Sequence, residues 1–204
     1  REPYAVLESV SKVAPLGRTI SDHLELELRN ITRTFEEFRS NLLPEIAKLL
    51  EAAPRVWFLG FGNEQGLAAL GQSMFSRLRH GVHQLQGQGE NWANELSITG
   101  PRDLLILLTF EPRPRVLRPL LAHARTSRMP VVTITDHAYS PQAARYSEVV
   151  LPCHIASYAR LPTHATMLSV IRLIAVSYLG RNPEAVHQRI TTLAAIDEEL
   201  DLLE

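Results

Sequence analysis

Apolar runs recur along this chain and alternate with segments of helical period. Arg55-Val-Trp-Phe-Leu-Gly60, Asp103-Leu-Leu-Ile-Leu-Leu-Thr109 and Val131-Val-Thr-Ile-Thr-Asp136 carry little polar alternation. Strands have that character when helices cover both faces of a parallel sheet. The pattern predicts strands near 55–60, 82–86, 103–109, 130–135 and 148–152. It predicts helices near 65–79, 91–98, 114–127, 141–146 and 163–179, and a last one from about Pro183 to Leu202. Such alternation implies an α/β fold, a doubly wound five-stranded parallel sheet with helices on both faces and right-handed crossovers. A flavodoxin-like order, 2-1-3-4-5, sets the switch point between the first and third strands, where the loops 60–64 and 109–115 would lie side by side.

Ahead of this unit, residues up to about Arg18 are weakly patterned, with Pro3, Pro15 and Gly17 as breakers, and read as a partly helical lead-in. From Ile20, the residues Leu24, Leu28, Ile31, Phe35, Phe38 and Leu42 alternate spacings of four and three. That stripe suits either a long helix lying on its own domain or a seam between subunits. Pro44 fits the first turn of a second helix ending near Ala53. We therefore divide the chain into a helical lead-in, 1–42, and an α/β domain, 43–204. The segment from Thr163 to Tyr178 is apolar around much of its circumference. A helix of that kind packs on more than one side, and with the Leu24–Leu42 stripe it predicts a homodimer or tetramer.

The bulk composition narrows the function. A net charge of −1 gives no electrostatic footprint for nucleic acid or an anionic membrane. No apolar run approaches the roughly 20 residues of a membrane span. The single cysteine, Cys153, excludes an internal disulfide framework and fits a reducing cytoplasm. The chain opens on Arg1, and the expectation is that something N-terminal to it is missing.

Gly60-Phe-Gly62-Asn63-Glu64-Gln-Gly66 is a variant of the dinucleotide fingerprint, following a strand and opening a helix. The second strand supplies the test, because nucleotide-binding domains end it in an acid that holds the ribose hydroxyls. Val82-His-Gln-Leu-Gln-Gly87 has none, and Arg79 and His80 precede it. No nicotinamide cofactor is expected, nor any other. Cys153-His154, with His164 further on, is too poor a ligand set for a metal, since neighbours on an extended segment point opposite ways.

Three segments resemble the sugar isomerase (SIS) domain, and most closely the effector domain of RpiR-type transcriptional regulators. One is the strand ending in Gly60-x-Gly62, after Leu49-Leu-Glu-Ala-Ala53. Another is Asp103 to Thr109, followed by a loop and Val116-Leu-Arg-Pro-Leu-Leu-Ala-His-Ala124. The most specific is Pro130 to Asp136, then Ser140-Pro141, then Glu148-Val-Val-Leu151. The resemblance spans Leu24 to Leu203. It implies a sugar phosphate cradled at the loop after the third strand, where the family runs Ser-x-Ser-Gly-x-Ser/Thr.

Here that loop reads Thr109-Phe110-Glu111-Pro112-Arg113-Pro114. One hydroxyl survives, Glu111 brings a negative charge, and two prolines remove backbone N–H donors. Arg113 and Arg115 can compensate with a bidentate grip on an anion, or Glu111 can be their partner. In the first loop Glu64 stands where the family often has Ser. The loop from Cys153 to Thr163 closes over the ligand in the family, and offers Ser157, Arg160 and His164. The expected ligand-binding set is therefore Gly60, Gly62, Asn63, Glu64, Thr109, Glu111, Arg113, Ser157 and His164, with no catalytic residue and no metal.

Two readings of this site stay open: one rebuilt for a different ligand, or one that no longer binds. The resemblance implies a ligand-sensing, dimerising effector domain, taking a sugar phosphate or related anionic metabolite. DNA would then be reached only through a missing N-terminal helix-turn-helix head. The alternatives are a sugar-phosphate isomerase, with Glu64 or Glu111 as base and His164 as acid, or a pure scaffold.

Overall fold

The computed structural model describes residues 16–87, 91–157 and 162–201. Two helices lead in, α1 (Leu16–Glu36) and α2 (Leu42–Ala52). Then come β1 (Val56–Gly60), α3 (Asn63–Ser76), β2 (Val82–Leu85), α4 (Trp92–Ser97), β3 (Leu104–Thr109) and α5 (Leu117–Thr126). The chain continues through β4 (Val131–Asp136), α6 (Ser140–Ala143), β5 (Val149–Cys153), α7 (Ala165–Arg181) and α8 (Pro183–Glu199). The five strands are all parallel, in the order β2-β1-β3-β4-β5. This is the anticipated doubly wound sheet, with its switch point between β1 and β3.

Successive strand side chains point to opposite faces, and the core divides accordingly. Leu104, Ile106 and Leu108 of β3 join Phe58, Ile134 and Leu151 beneath α2, α3 and α7. Leu105 and Leu107 join Trp57, Leu59 and Leu85 beneath α5. Every residue of β1, β3 and β4 is buried, which is why those runs show no alternation. The edge strand β5 does alternate. At the N-terminal ends of the strands, Arg55 grips the buried Asp103 with two bonds of 2.9 Å. Asp103 thus precedes β3 as an anchor.

The lead-in differs from its reading in the course of its apolar stripe. Helix α1 is described from Leu16 and stops at Glu36. Phe38 therefore lies in a turn and Leu42 opens α2, so the stripe does not run along one helix. Phe35 and Phe38 pack on the domain's own core, whereas Ile20, Leu24 and Leu28 are exposed. The face of α1 turned to the sheet edge is polar. Buried Asn30 exchanges two bonds with the backbone of Ala156, at 2.8 and 3.1 Å, and Thr34 Oγ1 accepts the His154 N–H at 2.8 Å. These side chains satisfy backbone groups of the extended segment after β5. Residues 1–15, Arg160 and Leu202 lie outside the described residues. No helix among the described residues is long and apolar enough to cross a membrane.

Candidate functional site

The C-terminal rim of the sheet, at the β1/β3 switch point, is where open α/β sheets bind ligands. Gly60 ends β1 so close to the first turn of α3 that a Cβ there would meet the Glu64 carbonyl oxygen at 2.1 Å. Gly62 follows with φ +57°, in the left-handed region, and caps the helix. This tight passage lodges Glu64 in the protein, 7% exposed, at the positive end of α3. Its Oε1 is 2.5 Å from Nε2 of His164, at the entrance to α7. The Phe110 ring lies against that imidazole, with centroids 5.4 Å apart. Chain segments a hundred residues apart thus share one polar pair at the switch point.

The loop after β3 is organised differently. The Thr109 side chain is buried, and its hydroxyl has no hydrogen-bond partner among the described residues. Arg113 turns back over the sheet rim to pair with Asp136 at the end of β4, and its guanidinium lies 4.3 Å from the Tyr139 ring centre. The same guanidinium is 3.5 Å from the Thr135 hydroxyl, which donates to the Thr109 carbonyl at 2.7 Å. Burial pulls the Arg113 pKa below its ordinary value, while Tyr139, Glu111 and Glu64 nearby hold it up. The Arg113 Nε–H is buried without a partner among the described residues. Asp136 also accepts the Tyr139 N–H at 3.1 Å, closing the turn in which His137 sits.

The expected residues are therefore brought together only in part. Gly60, Gly62, Glu64 and His164 form one group, and Thr109 and Arg113 another beside it. Asn63 and Glu111 are exposed. Of the two partners open to Arg113, an anion or Glu111, the protein side chain that pairs with it is neither of those but Asp136. Helix α5 begins at Leu117 rather than near 114, so Arg113 and Arg115 lie in the loop that precedes it. Ser157 is half-buried, one residue beyond the Asn30–Ala156 clasp, and joins neither group. The sequence reading missed Asp136, Thr135 and Tyr139. An acid ending a buried β-run, directly across from a basic loop, is the signal that could have found them.

Cys153 is buried in the core, and desolvation pushes its thiol up to about 12. The neutral thiol that results is no nucleophile. His154 points the other way, to solvent and Glu37.

Comparison with known proteins agrees with this architecture. The SIS domain family model matches residues 49–177. An uncharacterized HTH-type transcriptional regulator of Thermotoga maritima is 26% identical over 188 residues, covering 89% of this chain and 61% of its own length. The chain thus spans about three-fifths of that relative. The sugar isomerase domain of an RpiR transcription factor from Sphaerobacter thermophilus superposes with a TM-score of 0.76 at 20% identity, over 83% of this chain and 94% of that one. The Vibrio vulnificus NanR protein, solved with ManNAc-6P, gives 0.77 at 14% identity, over 95% and 73%. Solved structures of this fold also include ones described as sugar-phosphate isomerases. The matched region takes in all five strands and both switch-point loops, and the chain belongs to the SIS domain family.

Proposed function

We propose that this chain is the effector-sensing part of a bacterial transcriptional regulator, binding a sugar phosphate or a related polyhydroxylated anion at the β1/β3 switch point. The observation that carries this reading is the chemistry of the rim. Two buried donors, Thr109 Oγ1 and Arg113 Nε, lie beside the acceptor-rich Glu64–His164 pair. Buried polar groups ordinarily find partners, and an anion bearing hydroxyls supplies acceptors for the first two and donors for Glu64. The HTH-type relative and the NanR and RpiR structures support the regulatory half of the reading. In this reading residues 1–42 lead from a DNA-binding head into the sensing domain, 43–204, and DNA is reached only through that head. The exposed apolar residues Ile20, Leu24 and Leu28 of α1, with Val176 and Leu179 of α7, support pairing with a second copy.

One observation favours a second reading. Glu64 and His164, 2.5 Å apart and sheltered by Phe110, have the composition of a general base and its acid partner. An isomerase also needs a firm phosphate anchor. Pro112 and Pro114 deny that anchor two backbone N–H donors.

The test is a thermal-shift screen against sugar phosphates, unphosphorylated sugars and sugar acids, with NAD(P) as a control. A ligand at ~100 times its Kd stabilises by about 2.7 kcal/mol, which raises Tm by roughly 5–11 °C for a chain of this size. One responding class of sugar phosphate or sugar acid is expected. Arg113→Ala should weaken that ligand well beyond Arg118→Ala, and equal losses would remove Arg113 from the site. NMR of the recovered ligand separates sensing from catalysis: an unchanged sugar is expected, and aldose–ketose conversion would install the isomerase reading. Silence across the whole panel would leave the domain a scaffold.

A further inference from the structure

Away from the switch point, at the β4–β5 end of the same rim, three side chains from distant segments converge. Glu37 stands in the turn after α1, His137 in the turn after β4, and His154 directly after β5. His154 Nε2 is 2.9 Å from Glu37 Oε1, and His137 Nε2 is 3.3 Å from Glu37 Oε2. The two imidazole rings lie 4.3 Å apart, and the three donor atoms all fall within 4.8 Å of one another. We propose that Glu37, His137 and His154 form a binding site for a divalent transition-metal ion of the zinc class.

The donor set matches that class in number and kind. Two imidazole nitrogens and one carboxylate oxygen suit Zn²⁺, Co²⁺, Ni²⁺ or Cu²⁺, whereas Mg²⁺ and Ca²⁺ prefer all-oxygen shells. Metal–ligand bonds of about 2.0–2.1 Å in a tetrahedron put neighbouring donors about 3.3 Å apart. Each Glu37 contact is near that spacing but to a different carboxylate oxygen, so one ligating oxygen and the two nitrogens need to draw together, through side-chain rotations. Three protein ligands leave a fourth position for water or a small anion. All three side chains are partly open to solvent, which gives an ion its way in.

The surrounding backbone holds the ligands in place. The His154 N–H is bonded to Thr34 of α1. His137 sits in the turn closed by Asp136, which is itself held by Arg113. Adjacent Cys153 takes no part, being buried on the other side of its strand. A metal here would fasten the end of α1 to the rim, on the helix that leads toward the chain's N-terminal segment. The site stands independently of the effector reading.

The experiment is calorimetric titration of the metal-free chain with Zn²⁺, with Mg²⁺ as control. One equivalent should bind with a Kd of about 10 µM or tighter. His137→Ala and His154→Ala should each weaken binding about tenfold or more, whereas His187→Ala on exposed α8 leaves it unchanged. X-ray absorption of the wild-type zinc complex, which needs no variant to fold, should find two imidazole ligands. No saturable binding below ~100 µM, wild-type affinity in either histidine variant, or fewer than two imidazoles on the bound zinc would overturn the site.

Discussion

The two loops that meet at the switch point solve the same problem by opposite means. Between β1 and α3 the passage is a few residues long and fixed by backbone geometry: Gly60 lies against the Glu64 carbonyl, and Gly62 takes a positive φ. Between β3 and α5 the chain runs from Phe110 to Val116 with two prolines, Glu111 and Arg115 turned to solvent. That loop is held by side chains, Arg113 on Asp136 and over Tyr139. A backbone-fixed loop does not change shape when a ligand arrives. Under the proposed function, a loop held by an ion pair can exchange that partner for a ligand's anion, and the second loop is then the one suited to report occupancy.

The sharpest way to break this comparison is at Gly60. An alanine Cβ would lie 2.1 Å from a backbone oxygen and 2.3 Å from a backbone carbon, and neither can move without displacing α3. Gly60→Ala should cost about 4 kcal/mol, lowering Tm by roughly 8–16 °C. Thermal melting checks it; a loss under about 1 kcal/mol would mean that the strand-to-helix passage is not fixed by contact at this residue.

Arg113→Ala comes next. It leaves Asp136, with a side chain only 7% exposed, facing the rim without its cation. Breaking a largely buried pair from one side should cost about 3 kcal/mol, and Asp136→Ala added to it should recover part of that loss. The exposed Arg118 provides the contrast: Arg118→Ala should stay within about 0.5 kcal/mol. If the two arginine variants melt alike, the second loop is not held by its ion pair, and the proposed exchange of partners goes with it.

The same contrast explains what was legible in the sequence. Strand positions and the first loop follow from local rules, apolar runs and glycine spacing, and the strand order is that of the flavodoxin-like doubly wound class. The departure of the loop after β3 from the family pattern could be read in Glu111, Pro112 and Pro114, but not where Arg113 would turn. Its partner Asp136 is 23 residues further on, and His164 reaches Glu64 across a hundred. Such pairings depend on which strand ends the sheet order brings side by side, and on rotamers chosen after the loops have packed. Glu111, one of the two partners left open for Arg113, is solvated. The α1 stripe misled for a related reason. Its period continued through Phe38 and Leu42 although the helix ended at Glu36, because both residues face the same core from a turn and from α2.

The smallest expected effect separates the glycines of the first loop. Read as one motif, Gly60, Gly62 and Gly66 look equivalent, yet a Cβ at Gly66 would find nothing within 4 Å, on an exposed turn of α3. Alanine is the better helix former at an unstrained interior position, by about 0.5–1 kcal/mol, so Gly66→Ala should raise Tm by roughly 1–4 °C. A fall in Tm would mean that α3 is packed more tightly at Gly66 than its open surroundings imply. The variant also sharpens the functional question, because stability and ligand response are read in the same melt. If Gly66→Ala stabilises the free protein but shrinks the shift given by a sugar phosphate, the open space above the third glycine belongs to the ligand. If it stabilises both states equally, the ligand reaches only as far as Glu64, and the glycine is incidental to recognition.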